Sequence, residues 1–222
     1  MKKFRALRAR IAKIGLFNTL WHATMSRLRP WVLFTRVYRK PIEEHINATL
    51  GERFDLHTPS REELDRAYAH FGKNLMRDSV EQALARGDVC MAAFDRDSDN
   101  RMVGFSWGAR KTAPHGDGLW VEVEYPYLYG YKAYVDPEYR GLGINVALIV
   151  ERDKTIAQEG YRSSVGFVET HNYASVHSNV RMGSQPAGYA GYIKLFGRAF
   201  PFRSPKARAS TLRFYRPTHD VS

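Results

Sequence analysis

Arg140-Gly141-Leu142-Gly143-Ile144-Asn145 places a cation, two glycines and the opening of an apolar helix in one short stretch. Glycines let a backbone come close to a ligand. The first amides of a helix have no partner inside it, and the helix dipole favours negative charge there. The chemistry suited to such a turn is anion binding, phosphate above all, with Arg140 adding a planar cation. A second group of residues could do proton chemistry. Glu122, Glu124, Tyr129 and Tyr134 lie just upstream, and Glu169 and His171 lie further on.

These residues need elements to hold them. Ala133 to Val135 read as a strand, and Asp136-Pro137 stops it because proline cannot donate to a ladder and biases its predecessor away from helix. Val146, Ile149, Val150, Ile156 and Ala157 fall on one face of the helix that follows, and Gly160 ends it. Ser163–Thr170 is predicted as a strand and His171–Met182 as a short helix stopped by Gly183. Upstream, Trp31–Tyr38 reads as a first strand. Ser60 with Glu63 reads as a helix start, with Leu64, Tyr68, Phe71 and Leu75 repeating at helical spacing. A second helix follows Asp78-Ser79, through Val80 and Leu84. Asp88–Asp95 and Met102–Ala109 are predicted as paired strands around a polar turn. Pro114–Gly118 is predicted as a loop, Leu119–Val135 as one broken strand or two, and Gly188–Phe196 with Thr211–Tyr215 as a last pair. Alternation puts Tyr129, Tyr131, Ala133 and Val135 on one face of their strand.

The 222 residues suffice for one core with an appendage. The net charge of +11 is uneven. Residues 1–42 hold 11 Lys and Arg and no acid, while the remainder balances 23 cations against 23 anions. That balance argues against a nucleic-acid groove in the globular part. The chain therefore divides into a basic extension, 1–42, and a domain, 43–222. In the extension Phe4, Leu7, Ile11 and Ile14 recur at helical spacing, and Phe17, Leu20, Trp21, Thr24, Met25 and Leu28 prolong the apolar face. No apolar run reaches the ~18 residues of a membrane span, and Asn18 and His22 break any signal-peptide core. A basic amphipathic helix of this kind suits an anionic membrane surface, an acidic partner, its own domain or a twin subunit. The one cysteine, Cys90, can form no internal disulfide, and a reducing compartment fits. No His/Cys/Asp cluster has metal-ligand spacing, so no metal is expected.

"YVDPEYRGLGI", followed by a helix, a strand and "HNYASVHSNVRMG", resembles the GNAT superfamily of acyl-coenzyme A N-acyltransferases. The likeness runs over roughly 88–196, with the helices at 60–86 as the family's first pair. Arg140 and Gly143 match the family's turn pattern, and Asn145 stands where the family has Gly or Ala. Asn172, Ser175 and Gly183 match its later segment. The resemblance implies an α/β (α+β) fold with a mixed, mostly antiparallel sheet flanked by helices and a basic N-terminal helical extension. It implies that the pyrophosphate of acetyl-coenzyme A, the acyl-donor cosubstrate, rests on Gly141, Leu142, Gly143, Ile144 and Asn145 beside Arg140. The pantetheine arm would pair with the edge at Ala133, Tyr134 and Val135, and Asn172 and Ser175 would touch the coenzyme from the far side. The Val135 amide would polarise the acyl carbonyl.

The same likeness implies direct transfer to an amine, which must lose a proton. Many relatives have Glu at the place of Tyr129 and a Tyr acid at the place of Asn179. Glu124 is the first candidate base here, and Tyr134, Tyr173 or solvent the substitute acid. The expected protein is an N-acyltransferase acting on a small-molecule or peptide amine, cytoplasmic or peripheral to the inner face of a membrane, with a homodimer also compatible. Two alternatives stand beside it. One uses longer acyl chains from coenzyme A or from an acyl carrier protein docked on residues 1–40. The other is a non-catalytic module on the same fold that binds membrane or nucleic acid through its basic tail.

Overall fold

The computed structural model describes residues 8, 11–12, 14–42, 50–72, 75, 80–116 and 118–217. Helix α1 (Leu16–Leu28) leads into β1 (Val32–Pro41), followed by β2 (Phe54–His57), α2 (Arg61–Phe71) and α3 (Val80–Ala85). Strands β3 (Val89–Asp95), β4 (Arg101–Ala109), β5 (Thr112–Gly116), β6 (Leu119–Glu122) and β7 (Tyr127–Val135) come next. Helix α4 (Ile144–Ala157), β8 (Ser163–Glu169), α5 (Tyr173–Arg181), β9 (Gln185–Leu195), β10 (Arg198–Arg203), α6 (Pro205–Arg208) and β11 (Arg213–Tyr215) complete the chain.

Eight strands form one sheet in the order β10-β9-β1-β8-β7-β4-β3-β2, and β11-β6-β5 form a second. Every pairing is antiparallel except β7 with β8, which α4 joins as a crossover. The expected mixed, mostly antiparallel sheet is therefore present. Ser60 caps α2 with its side chain on the Glu63 amide while Glu63 reaches back to the Ser60 amide, the reciprocal box its sequence predicts. Leu64, Ala67 and Phe71 then bury on β3 and β4 through Cys90, Ala92, Phe94, Phe105 and Trp107. Burial pushes the Cys90 thiol up, so it packs as a small apolar group.

Four sequence expectations change. The division at residue 42 does not follow a seam, because β1 lies inside the sheet between β8 and β9. Pro114–Gly118 is not simply a loop, since β5 runs to Gly116 and pairs with β6. Phe54–His57 adds an edge strand on β3 that its short, polar sequence does not announce. The partner of β9 is β10, and Arg213–Tyr215 instead joins β6, where Arg213 pairs with Glu122.

Helix α1 docks on its own domain. Trp21 meets Phe34 edge-on at 6.0 Å and its indole N–H donates to Thr170 at 3.2 Å. Tyr173 donates to the Asn18 carbonyl at 3.2 Å. Leu16, Phe17 and Leu20 stay exposed. The expected face through Phe4 and Leu7 lies outside the described residues. Among those residues, no helix is long and apolar enough to cross a membrane.

Candidate active site

Strands β7 and β8 pair over only three positions, Tyr127 with Ser163, Leu128 with Ser164 and Tyr129 with Val165. Beyond these they separate, and the edge of β7 from Gly130 onward is open. A buried arginine occupies the vertex. Arg152 of α4 lies across the sheet, donating to Ser106 Oγ (3.0 Å) and the Trp107 carbonyl (3.1 Å) of β4 and to Ser164 Oγ of β8 (3.2 Å). Gly130 of β7 sits directly over it, and a Cβ there would lie 3.2 Å from the guanidinium.

A β-bulge falls at the same place. The register between β4 and β7 slips between Trp107–Lys132 and Gly108–Gly130, which leaves Tyr131 as the extra residue. The bulge inverts the alternation expected for this strand. Val135 packs toward α4 with Ile144 and Leu148. Tyr134 instead packs on Phe71 (5.6 Å) and Phe105 (5.9 Å), toward α2. Tyr129, Tyr131, Ala133 and Val135 therefore do not share one face, because a bulge costs the pattern one residue.

The turn after β7 has the predicted character. Gly141 (φ 87°) and Gly143 (φ 83°) are left-handed, where an L side chain is strained. Nothing lies within 4 Å of the position a Cβ would take at Gly141. Gly143 caps α4 without help from any side chain. Among the described residues, the amides of Gly141, Leu142, Gly143, Ile144 and Asn145 donate no hydrogen bond. Gly141, Gly143, Ile144 and Asn145 line a cavity of about 420 Å³ whose charged lining residues are Arg140 and Arg181. Arg181, in the last turn of α5, was not singled out by the sequence. The Arg140 Nε donates to the Val135 carbonyl at 3.2 Å, and its guanidinium lies 5.9 Å from the Tyr134 ring. The Asp136 amide donates to Val103 of β4, so by strand alternation the amide and carbonyl of Val135 point the other way, to the open edge.

The turn is anchored from below. Buried Tyr139 donates to Asp95 Oδ2 at 2.8 Å, and Arg53 holds both carboxylate oxygens, at 2.8 and 2.7 Å. These bonds, the arginine's foremost, hold the Asp95 carboxyl far below the usual carboxylate range.

A second cavity of about 320 Å³ occupies the opening between β7 and β8. It shares Asn145, Ser178 and Met182 with the first, so the two adjoin. Tyr131, Lys132, Ala133, Ser175 and Asn179 line it. Asn172 does not; its exposed side chain accepts from the Ser175 amide (3.2 Å) and caps α5. The three catalytic candidates of the sequence are also absent from the lining. Glu124 is exposed between β6 and β7, its amide bonded to Thr211. Tyr129 is buried in the core, stacked on Phe167 at 6.0 Å. Tyr134 belongs to the opposite face. No carboxylate or imidazole lines either cavity among the described residues. Tyr131 does line the cleft, and its hydroxyl donates to buried Asp88 at 3.1 Å. Arg86 holds the same Asp88 oxygen at 2.7 Å. The sequence could not find this pair, because the two residues are far apart in the chain and meet only through β3, β4 and the bulge.

No protein-family model matches the chain, and no curated protein does. Solved structures do. A GCN5-related N-acetyltransferase from Sphaerobacter thermophilus is 13% identical, with a TM-score of 0.53 over 89% of this chain and 58% of its own. A Drosophila protein is 16% identical, with a TM-score of 0.52 over 83% of this chain and 58% of its own. NAA60 of Arabidopsis thaliana, solved with acetyl-coenzyme A, is 20% identical over 74% of this chain and 99% of its own, with a TM-score of 0.49. This chain thus spans under two thirds of the length of the first two. The fold is that of the GNAT superfamily of acyl-coenzyme A N-acyltransferases.

Proposed function

We propose that this protein transfers an acyl group from acyl-coenzyme A to an amine. The observation that carries the reading is the row of five amides at Gly141–Asn145 that donate to no described residue, flanked by Arg140 and Arg181 and beside the cleft between β7 and β8. The diphosphate of the donor fits the amides and the helix dipole. The pantetheine arm fits the open edge of β7 at Ala133 and the Val135 amide as an added strand, beside the Val135 carbonyl that Arg140 holds. The thioester then lies in the cleft, with an outward amide to polarise its carbonyl.

In the reaction the amine nitrogen attacks the carbonyl carbon. A C–N bond forms, the C–S bond breaks, and sulfur leaves with the electron pair as thiolate. The amine must give up a proton. The Tyr131 oxygen can accept it while its own hydroxyl proton passes to Asp88. Solvent returns a proton to the thiolate, so the products are an amide and free coenzyme A. Asn179 supplies no acid, consistent with that role falling to solvent.

The decisive measurement is thermal stability of the full chain with and without acetyl-coenzyme A. At a hundredfold excess over Kd the ligand adds about 2.7 kcal/mol, a clear rise in Tm. No rise with any acyl-coenzyme A would favour the non-catalytic alternative.

A membrane-peripheral location has one specific support. The hairpin tip between β9 and β10 presents Leu195 and a fully exposed Phe196, with Ile193 and Phe200 exposed behind them. Lys194 and Arg198 flank the tip. Apolar side chains ringed by cations suit an anionic bilayer surface.

A further inference from the structure

We propose that the closed end of the cleft is a carboxylate-binding subsite. This rests on the reading of the cleft as the place of acyl transfer. The residues are Tyr38 and Lys40 of β1, Ser106 of β4, Arg152 of α4 and Ser164 of β8, all lining the cavity where β7 and β8 converge. Asp153 lies behind them. Burial is nearly complete: Lys40 is 4% exposed, Arg152 3%, Tyr38 2% and Asp153 0%.

The hydrogen bonds show which groups are committed. Asp153 Oδ1 receives Arg152 at 2.8 Å and Ser164 at 2.6 Å, and Oδ2 receives Lys40 at 3.0 Å. Every nitrogen of Arg152 is engaged, with Asp153, Ser106, Trp107 and Ser164. Arg152 is therefore architecture. The Lys40 ammonium has three donors, and Asp153 is its one partner among the described residues. The Tyr38 hydroxyl is enclosed; Arg36, two residues along the strand, acts on it through a side-chain hydrogen bond and its charge, and because an arginine can only donate, the Tyr38 O–H proton is left to give.

Two buried cations thus face one buried carboxylate, leaving an excess of one positive charge. An unmatched buried charge is costly until an anion meets it. Two donors are open to that anion, on Lys40 and Tyr38, side by side on one strand. A carboxylate has two oxygens to accept from them. The diphosphate already has its own place in the adjoining cavity. The carboxylate could arrive on the acyl group, as in a dicarboxylic acyl-coenzyme A, or on the acceptor, as in an amino acid.

The test compares ligands that differ in the carboxylate, using calorimetry on the full chain. One arm titrates succinyl-coenzyme A against butyryl-coenzyme A. The other titrates alanine against ethylamine onto protein already loaded with coenzyme A. A preference of about tenfold for the carboxylate in either arm supports the subsite, and the arm assigns its source. Tyr38→Phe must reduce that preference while leaving the affinity for coenzyme A unchanged. Lys40→Met must abolish it; this variant leaves Arg152 and Asp153 as a neutral pair, and circular dichroism checks its fold. Equal affinities in both arms, with coenzyme A binding normally, overturn the subsite but spare the donor site. Failure of coenzyme A itself to bind overturns both.

Discussion

Gly130 lies directly over the Arg152 guanidinium, so close that a Cβ there would stand 3.2 Å from it, tighter than an ordinary contact. The arginine ties β4 to β8 beneath β7 through Ser106, Trp107 and Ser164, and the two central strands part at this point. The cleft opens where this charge is buried. Gly130→Ala would push a methyl against a guanidinium whose every nitrogen is held. Overpacking of this kind costs roughly 1–3 kcal/mol. Denaturant unfolding should show a lower midpoint, and an unchanged midpoint would mean that Arg152 can move aside.

Asp95 supplies the acid sensitivity of the turn. Its folded carboxyl titrates below the ordinary aspartate range because Arg53, Tyr139 and Ser98 favour the charged form. A depressed group stabilises the fold fully above its unfolded pKa of about 3.9 and loses that contribution as pH falls toward the folded value. Thermal stability should thus decline below about pH 4, and Asp95→Asn should show a shallower acid decline from a lower starting point. Parallel curves for the two proteins would refute the assignment.

Gly141→Ala tests the anion site. At φ 87° the new side chain costs about 1–2 kcal/mol, and its methyl enters the space the diphosphate would fill. Coenzyme A affinity should drop by about tenfold or more while the fold survives. Binding as tight as in the unaltered protein would place the diphosphate elsewhere.

Tyr131→Phe removes the proton acceptor but keeps the ring in the cleft wall. The turnover number should fall by about a hundredfold, the usual range for a lost acid–base group, with coenzyme affinity unchanged. Raising the pH, which deprotonates the amine in solution, should recover part of the loss. A variant with full activity at neutral pH would leave solvent as the base.

For the hairpin tip, Phe196→Ser with Leu195→Ser should release the protein from vesicles containing anionic phosphatidylserine without changing Tm. Co-sedimentation measures this. An unaltered protein that ignores such vesicles would remove the support for a membrane-peripheral location.

The turn after β7 could be read from sequence because its determinants are local. Proline ended the strand, two glycines supplied left-handed φ, and an apolar period of 3.6 followed at once. The capping box of α2 and the crossover through α4 were legible for the same reason. The cleft wall was not. Strict alternation held only until a single extra residue at Tyr131, and a bulge leaves no mark in composition. Carboxylates near the turn in sequence, such as Glu124, lie away from the cleft, while Asp88 and Lys40 arrive through long-range strand pairing. Short-range backbone preference determined where an anion could sit. Which side chains face it depended on register and on a buried ion cluster, and these exist only once β1, β4, β7 and β8 are side by side.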